Sequence, residues 1–245
     1  MDPPTDSTSK TFVLVHGASH GGGCYDRVAD LLRAQGHRVF TPTLLGLAER
    51  FPENWTRRID LTDHVDDVVG LFEREGLRDV FLCGHSYGGM VISGVAERVP
   101  DRIHNLVFID AVVPDDGKRM TDYVFPGWRI VPVMAAVGIL GRGRTCIAPP
   151  ASYFRVNKAD QAMVNRKMTP HPFASLRERI RLTGKANRVP HHTYVYATEW
   201  GFAPITQQFE RAKARDGWQV FEVAAGHDIM IYAPHELAGI LGRNA

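Results

Sequence analysis

Residues 83–90 read Cys83-Gly84-His85-Ser86-Tyr87-Gly88-Gly89-Met90. The residues before them, Asp79-Val80-Phe81-Leu82, form a short apolar segment with the character of a buried strand, and Val91 to Arg98 has that of a helix. A serine with glycine two residues away on either side therefore stands where a core strand turns into a helix. Strand and helix backbones crowd at such a turn, so the positions of Gly84 and Gly88 must lack side chains. In an open parallel sheet, ligands bind beyond the carboxyl ends of the strands, and Gly-x-Ser-x-Gly at such an end is the pattern of a nucleophile elbow. The helix that follows aims its first amides at any oxyanion forming beside Ser86.

The rest of the chain supplies the sheet that this reading needs. Phe12-Val13-Leu14-Val15, Arg38 to Thr41, Val80 to Cys83, Leu106 to Ile109, Thr193 to Ala197 and Trp218 to Val223 are six apolar or β-branched runs. Helical stretches lie between them. Tyr25 to Gln35 places Val28, Leu31 and Leu32 on one face, and Leu61 to Glu75 repeats Val65, Val68, Val69 and Phe72 at helical spacing. Strands alternating with helices predict a mostly parallel six-stranded sheet with helices on both faces. The alternation fails from Val112 to Gly184, where prolines, glycines and scattered aromatics replace it. The expected organisation is a core of residues 1–111 and 185–245, with residues 112–184 inserted as a cap over the strand ends.

Bulk properties narrow the partners. The 245 residues suffice for one large domain with a deep core, and 29 Lys and Arg against 27 Asp and Glu leave no strong field for nucleic acid or an anionic membrane. Three widely spaced cysteines without a CxxC pair argue against a disulfide framework or a thiolate metal site. The polar, Pro-rich start MDPPTDSTSK has no apolar signal-peptide core, and no apolar run reaches membrane-spanning length. The expectation is a cytoplasmic, soluble protein.

A serine hydroxyl needs a base. In this elbow arrangement the chain order is serine, acid, histidine, so the base should come after the last strand. Of the 11 histidines, His227 in Ala225-Gly226-His227-Asp228 fits that place. His191 and His192 precede a strand and read as surface residues, and His85 should turn away from the site and be packed. His16 and His20 stand four apart in a Gly-rich loop with no third ligand in view, so no metal is expected. Two carboxylates end strands at the catalytic edge, Asp110 and Glu199, and either could orient an imidazole and stabilise its cation. Asp115, Asp116 and Asp228 read as solvated loop residues. The oxyanion needs two amides, assigned to Tyr87 and to Ala18 in the loop Val15-His16-Gly17-Ala18-Ser19-His20-Gly21-Gly22. That loop lacks both the GxGxxG spacing and the lysine of a phosphate loop.

Together, FVLVHGASHGGG at Phe12–Gly23, GHSYGGM at Gly84–Met90, the Phe108–Pro114 segment and Ala225–Asp228 resemble the α/β-hydrolases of the salicylate-methylesterase and hydroxynitrile-lyase branch, above all its small bacterial esterases. The resemblance implies an α/β-hydrolase fold, a cap over the site, no cofactor, and hydrolysis of small methyl or aryl esters. Plant members of that branch carry their acid in a Thr-Glu-Asp pattern. Here the segment is Thr198-Glu199-Trp200, and Asp110 stands where those relatives have an apolar or amide residue, which favours Asp110 with Glu199 in reserve. Lyases of the branch carry a threonine after the loop histidine and a lysine after the catalytic histidine, where this chain has Gly17 and Asp228, so a lyase is disfavoured.

The expected activity is a Ser86–His227–Asp110 esterase acting through an acyl-enzyme. A carbamate ester or lactone would use the same groups, and a small-ligand receptor keeping the fold is the rival of another class. Ser19, Phe125, Trp128, Tyr153 and Phe154 are the expected pocket lining. The expected partner is a small ester substrate, and the chain is expected to be a monomer or a homodimer.

Overall fold

The computed structural model describes residues 9–125 and 130–243. From the N-terminus, strand β1 (Thr11–Val15) leads through a loop into helix α1 (Asp26–Ala34), edge strand β2 (Arg38–Phe40) and helix α2 (Leu61–Arg74). Strand β3 (Val80–His85), helix α3 (Gly88–Arg98) and strand β4 (Ile103–Ile109) follow. The insertion holds helices α4 (Met120–Val124) and α5 (Ile130–Ile139), strand β5 (Thr145–Cys146), helix α6 (Lys158–Lys167), strand β6 (His171–Pro172) and helix α7 (Phe173–Arg177). Strand β7 (His191–Ala197), helix α8 (Ala203–Lys213), strand β8 (Trp218–Val223) and helices α9 (Ile229–Tyr232) and α10 (Pro234–Arg243) complete the chain. No helix among the described residues is long and apolar enough to cross a membrane.

The main sheet has six parallel strands in the order β2-β1-β3-β4-β7-β8. Successive residues of each strand point to opposite faces, and the core divides accordingly. Val13, Val15, Leu82, Leu106 and Phe108 pack with residues of α2, α3 and α8, whereas Phe12, Leu14, Phe81, Cys83 and Val107 pack with residues of α1, α9 and α10. Each fully buried Leu or Phe contributes about 1.5–3 kcal/mol relative to exposure. Helix α2 starts where expected because Asp60 and Asp63 cap one another: the Asp63 amide donates to Asp60 Oδ1 at 3.1 Å and the Asp60 amide to Asp63 Oδ2 at 3.0 Å.

The insertion adds no strand to this sheet, and its own two strands pair antiparallel, Cys146 opposite His171. Carboxylates tie it to the body. Glu97 on α3 accepts from the amides of Thr183, Gly184 and Ala186 and from the Thr183 hydroxyl, all within 3.1 Å. Glu178, just after α7, accepts from the amide and hydroxyl of Thr62 at the start of α2, both at 2.7 Å.

Strand order reverses between β1 and β3, so the loop after β1 and the turn after β3 face each other at one crevice. The turn itself is tightly determined. Ser86 holds φ +52°, a left-handed conformation costing a non-glycine residue roughly 1–3 kcal/mol. A Cβ on Gly84 would lie 2.6 Å from the Gly88 carbonyl oxygen, and one on Gly88 would lie 2.7 Å from that of Val15. Both obstacles are backbone atoms that cannot swing aside. Gly84→Ala should therefore lower the unfolding free energy by about 2–4 kcal/mol in urea denaturation; a loss below about 1 kcal/mol would show that the turn relaxes freely.

Candidate active site

Ser86 is half-buried between fully buried neighbours, with its amide donating to the Ile109 carbonyl at 3.2 Å. This bond fastens the turn to the end of β4, one residue before Asp110. The loop after β1 closes from the other side: a Cβ on Gly17 would lie 3.0 Å from Ser86 Cβ. Ala18 is thereby next to the serine. Among the described residues no acceptor takes the amide of Ala18 or Tyr87, as two oxyanion donors require.

Asp110 follows β4 with φ +44°, another strained non-glycine position, and is 0% exposed. Its Oδ1 accepts from the Ala197 amide at the end of β7 at 3.0 Å, and its Oδ2 lies 2.7 Å from Nδ1 of His227. Since a carboxylate oxygen accepts, Nδ1 carries the proton and Nε2 is left as the basic nitrogen. Burial disfavours charge on both partners. It pushes Asp110 well up, against the pull of the Ala197 amide, and pushes His227 down to about 3, against the pull of the Asp228 carboxylate.

His227 is further held by its backbone and by aromatic rings. Its amide donates to the Phe154 carbonyl at 2.9 Å, and its own carbonyl accepts from His85 Nε2 at 3.0 Å. The Trp200 ring stacks on its imidazole with centroids 3.9 Å apart, and Phe154 stacks at 5.4 Å. Trp200 is pinned in turn by its Nε1 donating to the Tyr153 carbonyl at 2.9 Å. Glu199, one residue earlier, is exposed, and its amide donates to the Ala225 carbonyl. The structure thus brings Asp110 and not Glu199 to the histidine.

The expected pocket residues fall differently. Phe154 stands against His227; Tyr153 is exposed and meets Phe154 and Trp200 edge-on; Phe125 is half-buried after α4. Trp128 lies outside the described residues. Ser19 is buried, with φ +66°, its amide donating to His171 Nδ1 and its carbonyl accepting from the Thr169 amide, so it fastens the loop to the insertion. Tyr87 turns its side chain into the core, where its hydroxyl meets His64 Nδ1 at 2.9 Å. A cavity of about 460 Å³ lies beyond His20, bordered also by Gly21, Cys24, Ala48 and Met163; its walls include none of Ser86, Asp110 and His227.

One expectation needs correcting and two neighbours went unforeseen. Asp115 and Asp116 are exposed as expected, but Asp228 is buried, because the turn after His227 folds inward beneath Ile229, Met230 and Ile231. The signal was the apolar run that follows it. The anchoring of Ser19 by His171 and the stacking of Trp200 on His227 left no mark in local sequence. His16 is occupied at both nitrogens, Nδ1 donating to the Gly17 carbonyl and Nε2 accepting from the Leu44 amide. Among the described residues no group of three or more His, Cys, Asp or Glu side chains could hold a metal ion.

The alpha/beta hydrolase family pattern matches residues 12–240. A carbendazim hydrolyzing esterase from Nocardioides sp. (strain SG-4G) is 37% identical over 93% of this chain and 96% of its own. Salicylic acid-binding protein 2 of Nicotiana tabacum is 39% identical over a shorter stretch, 43% of this chain and 41% of that one. Among solved structures, an extracellular alpha/beta-hydrolase from a Paenibacillus species superposes with a TM-score of 0.81 at 28% identity, covering 96% of this chain and 98% of that one.

The contrast between the two acids is measurable. Asp110→Asn should cut turnover of an aryl ester at least about a hundredfold, or about 3 kcal/mol in the barrier, because the amide favours the wrong tautomer. Glu199→Gln should cost less than about tenfold. The reverse ranking would transfer the role to Glu199.

Proposed function

This chain belongs to the alpha/beta hydrolase family, and we propose that its ester hydrolysis runs through Ser86 as nucleophile, His227 as base and Asp110 as orienting acid. The observation that carries the reading is the 2.7 Å contact between His227 Nδ1 and Asp110 Oδ2, which leaves Nε2 free to take a proton. In the first step Ser86 Oγ attacks the ester carbonyl carbon while its proton passes to His227 Nε2. The carbonyl oxygen becomes an oxyanion held by the Ala18 and Tyr87 amides. As the tetrahedral adduct collapses, the C–O bond to the alcohol breaks and His227 returns the proton to the leaving oxygen. Water then repeats the cycle on the acyl-serine, releasing the acid and restoring Ser86.

A strained serine on a rigid turn suits this work, since the nucleophile needs no rearrangement before attack. The similarity to a carbendazim hydrolyzing esterase over nearly the whole chain favours a second substrate class, methyl carbamates, of which carbendazim is one. The same groups serve: the serine attacks the carbamate carbonyl, methanol leaves, and water cleaves the carbamoyl-serine.

p-Nitrophenyl acetate tests the chemistry directly. The wild type should release p-nitrophenol catalytically and carry an acetyl group on the Ser86 peptide after rapid acid quench. Ser86→Ala should fold normally and lose several orders of magnitude in turnover. Retention of more than about a tenth of the wild-type rate would end the serine mechanism, and binding without release would make the protein a receptor.

A further inference from the structure

The turn that bears His227 bears a second acid beside it. Asp228 is 1% exposed, with Oδ2 3.3 Å from His20 Nε2 and Oδ1 3.9 Å from His85 Nε2. Among the described residues neither oxygen, nor His20 Nε2, nor His85 Nδ1 makes a well-aligned hydrogen bond. Burial, and with it the nearby Asp228 charge, pushes up the Cys24 thiol and the Tyr25 hydroxyl in the loop after β1, and that hydroxyl is likewise unpartnered among the described residues. A buried carboxylate costs several kcal/mol unless opposite charge or hydrogen bonds compensate it. Here compensation comes from imidazoles, and their positions are not arbitrary. His20 belongs to the loop that carries Ala18, while His85 precedes Ser86 and donates to the His227 carbonyl.

We propose that Asp228 is a positioning residue of the esterase centre: set 3.3 Å from His20, its carboxylate stabilises the imidazolium that forms on His227 and ties the loop bearing the Ala18 amide to the histidine turn. The inference rests on the reading of Ser86, His227 and Asp110 as the reacting set. The ionisable groups facing His227 are Asp110 from the end of β4, Asp228 from its own turn, His20 from the loop after β1 and His85 from β3, with Trp200 and Phe154 against the ring. Negative charge at Asp228 favours the protonated ring, and a proton on His20 would disfavour it. Removing one or the other must therefore move the titration of His227 in opposite directions. A purely structural contact would move neither.

The test is the pH dependence of kcat and kcat/KM on one aryl ester for the wild type, Asp228→Asn and His20→Gln, with the His227 ring titration followed by NMR and a thermal melt of each protein. Asp228→Asn should lower kcat by about tenfold or more with KM within about threefold. The midpoints should rank His20→Gln above wild type above Asp228→Asn. Any other ranking, or wild-type kcat in Asp228→Asn, overturns the proposal, as does a lowered melting temperature with unmoved midpoints. Should Asp228→Asn fail to fold, His20→Gln decides alone, and a midpoint at or below wild type refutes. Failure of the underlying mechanism has its own signature: Ser86→Ala would then keep its turnover, whatever the Asp228 variant does.

Discussion

The backbone crowding at the turn after β3 is the constraint on which the site depends. Gly84, Gly88 and the main chain of Val15 come so close that Ser86 has one place to stand, at a left-handed φ that its neighbours enforce. The same closeness sets the distances around it. The Ser86 amide reaches the Ile109 carbonyl, which puts Asp110 one residue beyond the turn, and Gly17, the residue before Ala18, abuts the serine. A looser turn would separate the three strand ends and leave each group correct in type but out of reach.

Around that turn the protein uses neutral imidazoles as braces. His16 joins Gly17 to Leu44, His64 joins Tyr87 to Leu45, and His171 joins Ser19 to Ser175. Burial lowers the first to about 3, the second to about 4 and the third well below its ordinary value, so each stays uncharged at neutral pH with its donor and acceptor nitrogens set by its partners. His227 differs from these three in meeting a carboxylate, Asp110, at Nδ1. These three buried histidines can thus brace the turn without adding charge to it.

The inserted segment belongs to the same network. His171 lies on β6, yet its Nδ1 accepts from the amide of Ser19 in the loop after β1, and the Phe154 and Tyr153 carbonyls hold His227 and Trp200. The insertion and the main sheet are consequently coupled at backbone level, and the carboxylates of Glu97 and Glu178 fasten the far end of the insertion. Displacing the inserted segment would loosen His227 and the loop after β1 together.

Local sequence determined the six strands, the helices α1, α2 and α3, the elbow serine and the late histidine, because each is written within a few residues: apolar runs for strands covered on both faces, helical spacing, caps, and glycines at a crowded turn. Which carboxylate meets His227 was legible only as a choice between Asp110 and Glu199, since both end neighbouring parallel strands and periodicity does not tell which one meets a distant loop. The tertiary structure decided it: the register of β4 against β7 buries Asp110 under Ala197 and His227, while Glu199 turns to solvent. It also decided the burial of Asp228, the stacking of Trp200 and the anchoring of Ser19 by His171. Each of these depends on segments tens to more than a hundred residues apart meeting at one sheet edge, and burial and electrostatic environment are properties of that meeting rather than of either segment.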